Sequence, residues 1–325
     1  MKRVVHLLDD FAMGGVTRAL GVFEEAELRL LAHSEIEPVD QGDVIAPALD
    51  ADIIVTHFPV SWRRLAWFGS LRVRNRRARI VYVEHSYTRS FESHNVGSQV
   101  RFRALLRGLV RLVDAVVCVS QGQREWLLEA SSIAPDRCRV IYPWSGRDEL
   151  LQVPPLADRG VAQPLRLAAY GRYSEVKNFA ALIEAAGARP DLCTLTIGGG
   201  GPLEEDLHER AAHYPNVALV GRVDDVTDFL AEADAVVVPS LWEAFGLVAT
   251  EARLAARPIL VADVDGLPEQ VGSAGLYVPM GDAKAIAQAI DRFAAMPLPA
   301  MGAAGRNDVL DMRSTVISGW AELLA

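Results

Sequence analysis

The chain has 325 residues, of which 50% are hydrophobic and 23% charged, with a formal net charge of −9. This is the composition of a folded chain, not a disordered one, and the length exceeds what one core usually fills, so two domains are expected. No run approaches the roughly 18 uninterrupted apolar residues of a membrane span, and the scattered Cys118, Cys138 and Cys193 fit buried thiols in a reducing cytoplasm, with no metal-ligand cluster around them.

Met1-Lys2-Arg3 is followed only by Val4 to Leu8 before Asp9-Asp10, too short an apolar region for a signal peptide, so Arg3 to Leu8 reads as a first strand. Asp9 to Gly15 is a loop carrying Gly14-Gly15, and a long helix is expected from Val16 to about Ala32. Strands follow at Ala51 to His57, Arg79 to Val83, Ala115 to Ser120 and Arg139 to Tyr142, with helices at Trp62 to Arg74, Gln99 to Leu112 and Gln121 to Ala130. Alternation of this kind predicts a parallel α/β domain over residues 1–150, with functional loops at the carboxyl ends of its strands. Pro154-Pro155, Gly160 and Pro164 mark Leu151 to Pro164 as a linker.

A second α/β series is predicted over residues 165–305. Its strands are Leu165 to Tyr170, Cys193 to Ile197, Val217 to Val220, Ala235 to Val238, Pro258 to Ala262 and Leu276 to Val278. Its helices include Asn178 to Ala186, Leu203 to Ala212, Val226 to Ala233, Leu247 to Ala256 and Ala283 to Ala294. A terminal helix over about 306–325 could pack back on the first domain.

Charge is unevenly spread. From Ser61 to Arg111 there are 12 arginines against only Glu84 and Glu92, a local balance of +10. One reading is solvated helix faces with salt bridges to the acidic half; the other is a basic surface for an anionic partner, such as a lipid headgroup or an anionic acceptor, with peripheral membrane contact. No nucleic-acid motif accompanies the charge.

Three segments at strand carboxyl ends of the second series invite a phosphate. Gly171-Arg172-Tyr173-Ser174-Glu175-Val176-Lys177-Asn178 offers a sharp turn and two cations near a helix start, although a basic surface loop has the same appearance. Gly198-Gly199-Gly200-Gly201-Pro202 allows close backbone approach to a ligand, or is simply a flexible turn; Leu203 rules out a dinucleotide G-x-G-x-x-G fingerprint. In Ser240 to Glu251, a glycine-containing turn leads into a helix whose free N–H groups and dipole suit an anion. Glu243 and Glu251 bracket that turn and make sense as acceptors for hydroxyls on either side of a diphosphate.

E-A-F-G-L-V-A-T-E from Glu243 to Glu251, together with G-R-Y-S-E-V-K-N, I-G-G-G-G-P and D-G-L-P-E-Q-V, resembles the retaining glycosyltransferases of family 4. The resemblance covers Gly171 to about Pro279 and, more thinly, the first domain. It implies the GT-B fold, two Rossmann-like parallel-sheet domains facing an interdomain cleft, and a nucleotide-diphosphate sugar as substrate with no metal or other cofactor. It further implies that Glu251 holds ribose hydroxyls and Glu243 the transferred sugar. Arg172 and Lys177 would neutralise the diphosphate beside Gly171, Gly199, Gly200 and the backbone N–H groups of Phe245, Gly246 and Leu247. Backbone near Arg222-Val223 would meet the base. Gly14-Gly15 looks like the first-domain loop that closes on donor phosphate and acceptor, and His85 is similar in place to the family's active-site histidine. The chain differs from the family at Val16-Thr17-Arg18, where an acidic residue is common, and at Pro143-Trp144-Ser145-Gly146, where an Asn-Gly turn is common. A sugar phosphorylase, a nucleotide-sugar epimerase and a non-catalytic sugar-nucleotide-binding protein are the alternatives.

Overall fold

The computed structural model describes residues 1–11, 14–157 and 163–325. It forms two compact units, Met1–Gly146 with Met312–Ala325, and Arg147–Asp311. Part of the expected Asp9 to Gly15 loop (residues 12 and 13) and part of the expected linker (residues 158–162, Gly160 among them) lie outside the described residues.

In the first unit, β1 (Lys2–Leu8), β2 (Ala32–Pro38), β3 (Ile53–Thr56), β4 (Arg79–Glu84), β5 (Ala115–Cys118) and β6 (Cys138–Val140) form one parallel sheet, ordered β2-β1-β3-β4-β5-β6. β3 and β5 are buried along their whole length, as continuous Val/Ile runs covered on both faces should be. The helices of this part are α1 (Gly15–Ala19), α2 (Ala26–Leu31), α3 (Trp62–Arg74), α4 (Arg89–Asn95), α5 (Gln99–Leu109) and α6 (Gln121–Ser131). Helix α3 shows how the sequence folds locally. Ser61 Oγ accepts from Arg64 N at 3.1 Å, a standard N-cap, and Arg64, Trp67, Phe68 and Leu71 form the buried stripe at helical spacing. The buried Arg64 is paired with Asp9 at 3.1 Å and stacks 4.6 Å from the Phe58 ring centroid.

Two expectations for this unit need correction. The long helix from Val16 to Ala32 is α1, a 3₁₀ turn at Leu20–Glu24 and α2, broken at Glu25, whose ψ of 139° is extended. The chain then forms β2, which the sequence did not announce: Ala-His-Ser-Glu-Ile-Glu-Pro is an edge strand with little apolar content, held by its backbone pairing to β1.

The arginine-rich stretch divides between the two readings. Arg64, Arg72, Arg89 and Arg103 pair with Asp9, Asp114, Glu129 and Glu92, all within the first unit and none in the acidic second half. The side chains of Arg74, Arg77, Arg101, Arg107 and Arg111 make no ion pair among the described residues. No helix among the described residues is long and apolar enough to cross a membrane.

The second unit has β7 (Leu165–Arg172), β8 (Cys193–Gly200), β9 (Val217–Gly221), β10 (Ala235–Val238), β11 (Ile259–Ala262) and β12 (Gly275–Val278), all parallel, ordered β12-β11-β10-β7-β8-β9. Its helices are α7 (Phe179–Gly187), α8 (Glu204–Ala211), α9 (Val226–Ala231), α10 (Leu247–Leu254), α11 (Ala283–Ala294) and α12 (Leu298–Val309). The chain order reverses between β7 and β10. In a doubly wound sheet, ligands bind outside the carboxyl ends of the two strands at such a switch point. The segments leaving those strands begin at Tyr173 and Pro239.

The single expected helix over 306–325 is instead the end of α12 plus a separate helix, α13 (Met312–Leu324). α13 belongs to the first unit, where Arg313 pairs with Glu25 and Leu324 O accepts from Lys2 Nζ at 2.9 Å.

Candidate functional site

The glycine segments expected as loops are strand extensions. β7 and β8 stay paired through Gly171 and Gly199, and then Arg172 and Gly200. Gly171 and Gly199 both have φ of +148°. A Cβ on Gly199 would lie 1.9 Å from Gly171 O, so the pairing requires glycine there. Runs of glycine normally break strands, which is why the sequence reads as a turn; here they let two backbones approach beyond ordinary strand ends. Pro202 sits in a turn ahead of α8.

Lys177 follows in a single 3₁₀ turn, Glu175–Lys177. Asn178, at φ +53°, reverses the chain into α7 and donates through Nδ2 to Met280 O at 2.9 Å. The turn carries the Lys177 ammonium to the Glu243 carboxylate, with which it forms an ion pair. A Cβ on Gly171 would lie 3.6 Å from Lys177 Cε, which places the lysine stem over the end of β7. Arg172 is exposed at the same strand end and makes no ion pair among the described residues.

The segment after β10 is clamped from two sides. Leu241 N donates to Val176 O at 2.8 Å. On the other side, Glu243 N donates to Asp265 Oδ2 at 3.1 Å and Gly266 N donates to Glu243 O at 3.1 Å. Asp265 itself has φ of +47°, a conformation that Asp tolerates better than most residues. Ser240 Oγ donates to Glu243 Oε2 at 3.2 Å. Gly246 then caps α10 at φ +86°, and a Cβ there would meet Leu267 Cδ2 at 2.6 Å and Glu243 Cγ at 3.1 Å. Phe245 and Gly246 are buried and Leu247 opens the helix, so the N–H groups at the start of α10 lie beside Glu243.

Glu251 is 1% exposed on the inner face of α10. Its Oε2 accepts from the Tyr170 hydroxyl at 2.5 Å, and Arg147 Nε lies 3.3 Å from Oε1. The hydroxyl ties Glu251 to β7, one residue before Gly171. At the far side, Val223 packs onto β8: a Cβ on Gly198 would meet Val223 Cγ2 at 2.2 Å and Tyr170 Cβ at 3.5 Å. Arg222 is exposed and paired only loosely, with Asp224 at 3.1 Å. Thus Lys177 and Glu243 touch, Glu251 joins β7 through Tyr170, and Arg172 is exposed at the strand end with no ion pair among the described residues.

Three contributors escaped the sequence reading. Tyr170 and Arg147 hold Glu251 from 81 and 104 positions away in the chain, which no local pattern announces. Gln270, 3% exposed, donates from Nε2 to Phe245 O at 2.5 Å and Gly246 O at 3.0 Å, and accepts from Thr250 Oγ1 at 2.6 Å. It fixes the left-handed entry into α10. Its signal was present: it is the Gln of D-G-L-P-E-Q-V.

In the first unit, Gly14 is the extended N-cap of α1, and Thr17 Oγ1 both accepts from Gly14 N at 2.9 Å and donates to Gly14 O at 3.0 Å. Gly14 and Gly15 are exposed. His85 follows β4. Its turn is held by Glu84, whose Oε1 accepts from Ser86 N at 2.8 Å and Tyr87 N at 2.9 Å while Oε2 accepts from Tyr82 OH at 2.8 Å. Burial pushes the Glu84 carboxyl up to about 7. Among the described residues, no group of three or more His, Cys, Asp or Glu side chains is placed to hold a metal ion.

Residues 43–144 match the family model Glycosyltransferase Family 4, and residues 164–295 match Glycosyl transferases group 1. Among curated proteins, the chain is 31% identical over 215 residues to a D-inositol 3-phosphate glycosyltransferase of Saccharomonospora viridis, covering 58% of this chain and 49% of that protein. It is 24% identical over 234 residues to an uncharacterized 41.2 kDa protein in the cps region of Klebsiella pneumoniae, covering 70% and 64%. The chain therefore spans about half to two thirds of the length of these relatives. Among solved structures, it is similar to Anabaena HepE in complex with UDP, with TM-score 0.76, 18% identity and coverage of 100% and 99%. It is likewise similar to sucrose-phosphate synthase from Thermosynechococcus elongatus, with TM-score 0.79, 21% identity and coverage of 99% and 98%. With two six-stranded parallel sheets of the GT-B type and both halves matched by glycosyltransferase models, the chain belongs to the family 4 glycosyltransferases.

Proposed function

We propose that the chain is a retaining glycosyltransferase that moves a sugar from a nucleotide-diphosphate donor to an acceptor hydroxyl. The observation that carries this reading is the Lys177–Glu243 pair, held beside the Gly246 cap of α10 where the strand order reverses between β7 and β10. A cation, a carboxylate and a helix N-terminus in one place suit a ligand that joins a diphosphate to a polyhydroxyl group.

In this reading Glu243 accepts hydrogen bonds from the sugar and Glu251 from the ribose. Val223 and the backbone of Arg222 meet the base. Arg172, Lys177 and the amides at the start of α10 hold the diphosphate. When the anomeric C–O bond breaks, its electron pair stays on the leaving phosphate oxygen. The two cations and the helix dipole stabilise that charge, and fixed dipoles of this kind supply the largest share of many rate enhancements. The acceptor oxygen attacks the face that the phosphate leaves, its proton passes to a phosphate oxygen, and the anomeric configuration is kept. For His85 and the Gly14-Gly15 turn of the first unit, the support for a part in this reaction is the family resemblance alone. The Anabaena neighbour has been crystallised with UDP-glucose, so a uridine donor is the first to test.

Arg74, Arg77, Arg101, Arg107 and Arg111, which make no ion pair among the described residues, support an anionic or lipid-linked acceptor and contact with the inner membrane face of a cytoplasmic enzyme. Salt-sensitive sedimentation with anionic vesicles tests that part. The transfer itself is tested with radiolabelled UDP-sugars and a pool of candidate acceptors. Label in an acceptor with retained configuration, and slow hydrolysis without one, is the expected result. Label in a phosphate ester or an epimer would make the chain a phosphorylase or epimerase, and an intact donor after prolonged incubation would make it a binding protein.

A further inference from the structure

Three histidines that stand far apart in the chain form one hydrogen-bonded file in the first unit. His6 lies in β1, His57 follows β3 and His85 follows β4, so they occupy three adjacent strands of the sheet. His6 Nδ1 is 3.0 Å from His57 Nε2, and His57 Nδ1 is 3.1 Å from His85 Nε2. The rings stack, with centroids 5.2 Å and 5.4 Å apart. His6 and His57 are 1% and 7% exposed, whereas His85 is partly open. At the inner end, His6 Nε2 is buried with no hydrogen-bond partner, and its ring faces Phe23 with centroids 4.1 Å apart.

Burial keeps all three rings neutral at ordinary pH: it lowers His6 to about 3 and His85 to about 4, and holds His57 well below its usual value. Each ring then carries one N–H, and each gap needs one donor and one acceptor. Only two arrangements satisfy both gaps. Either every ring is protonated on Nδ1 and donation runs from His6 toward His85, or every ring is protonated on Nε2 and donation runs inward. The inward arrangement buries an N–H at His6 Nε2 without a partner. The outward one leaves only a lone pair there, and an orphaned donor is the rarer and costlier fault.

We infer that donation runs outward, so that His6 and His57 are positioning residues that fix His85 as an Nδ1–H donor. His85 Nδ1 has no hydrogen-bond partner among the described residues, so this N–H is free for a ligand oxygen, a sugar hydroxyl or a phosphate. The same nitrogen cannot then act as a proton acceptor. The role of His85 toward a donor rests on the glycosyltransferase reading, but the direction of the file does not.

Side-chain ¹⁵N NMR on the full chain labelled at histidine tests the direction without any substrate, and its seven histidines can be assigned by single substitution. The expected result at pH 7 is Nδ1 protonated and Nε2 bare on His6, His57 and His85. His6→Phe, which removes the first donor, should let His57 and His85 move to the Nε2–H form. His6→Asn, whose amide can donate from near the position of Nδ1, should restore the Nδ1–H form. Nε2–H on His57 and His85 in the unmodified protein would overturn the inference, as would a His85 tautomer unmoved by His6→Phe. Failure of the transferase assay leaves this readout intact, and the reverse also holds.

Discussion

The ammonium of Lys177 is paired with the carboxylate of Glu243, with their side chains 21% and 18% exposed. One of the two cations expected at a diphosphate therefore already has an anionic partner, and a donor must compete with Glu243 for it. Glu243→Gln should consequently bind UDP more tightly, by roughly 1 kcal/mol or about fivefold, since it removes a partly screened negative charge beside the phosphates. The same change should lower transfer by roughly 10- to 100-fold through the lost charged hydrogen bond to the sugar. Calorimetric UDP titration beside kcat checks both, and weaker UDP binding with unchanged kcat would contradict the arrangement.

Arg172→Ala and Lys177→Ala should each lower kcat by roughly 100-fold, the usual cost of removing one stabilising group at a site of growing charge. Arg172, exposed and without an ion pair among the described residues, should change stability by less than about 0.5 kcal/mol when removed. A melting temperature and a kcat measured on the same preparations separate lost chemistry from lost fold.

Tyr170→Phe removes the hydroxyl that donates to Glu251 at 2.5 Å. UDP affinity should drop by about 3- to 10-fold, because the carboxylate loses the group that aims it. Glu251→Ala should additionally lower the melting temperature by several degrees, because the nearby Arg147 guanidinium loses its buried carboxylate partner. Equal UDP affinity in Tyr170→Phe and the parent would show that this contact is structural.

Gly246→Ala places a Cβ 2.6 Å from Leu267 Cδ2 at a φ of +86°. It should cost about 1–2 kcal/mol from the backbone conformation alone, and should weaken UDP binding by disturbing the start of α10. Gly69, inside α3 with no atom within 4 Å of its absent Cβ, is the control: its Ala variant should gain about 0.5–1 kcal/mol. Chemical denaturation of the pair reads the difference.

Two sets of buried groups act oppositely on stability as pH changes. His6, His57 and His85 have lowered pKa values, so their contribution is present above about 6.5 and is lost as pH falls, when the unfolded chain binds the protons. Glu84 has a raised one, so its contribution is present below about 4.5 and is lost as pH rises through about 7. Three groups oppose one, each contributing at most about 1.4 kcal/mol per pH unit. Stability should thus fall on acidification from pH 6.5 to 5, and Glu84→Gln, which removes the one opposing contribution, should steepen that fall. A melting temperature that rises between pH 6.5 and 5 would contradict the buried neutral histidines.

The alternating apolar runs made the two parallel sheets legible, because buried parallel strands such as Ala235–Val238 and Ile259–Ala262 leave an unmistakable Val/Ile record. Edge strand β2 left none, since its backbone pairing carries no side-chain signature. Gly198 to Gly200 misled for a physical reason: glycine marks turns in general, but here Gly199 permits an approach to Gly171 that any side chain would block. At the candidate site, local motifs pointed to Lys177, Glu243 and Gly246, which the fold brings together. Tyr170, Arg147 and the partners His6 and His57 were not, because what places them is strand order, which the sequence specifies only through the folded sheet.

The central claim is that the second unit grips a nucleoside diphosphate with Arg172, Lys177 and the start of α10. Calorimetric titration of UDP, GDP, ADP and CDP into the parent chain and into the Arg172→Ala, Lys177→Ala double variant addresses it directly. One diphosphate should bind the parent in the micromolar range, and the double variant should lose roughly 100-fold in affinity for it. Binding of equal strength in both proteins would mean that the phosphates lie elsewhere.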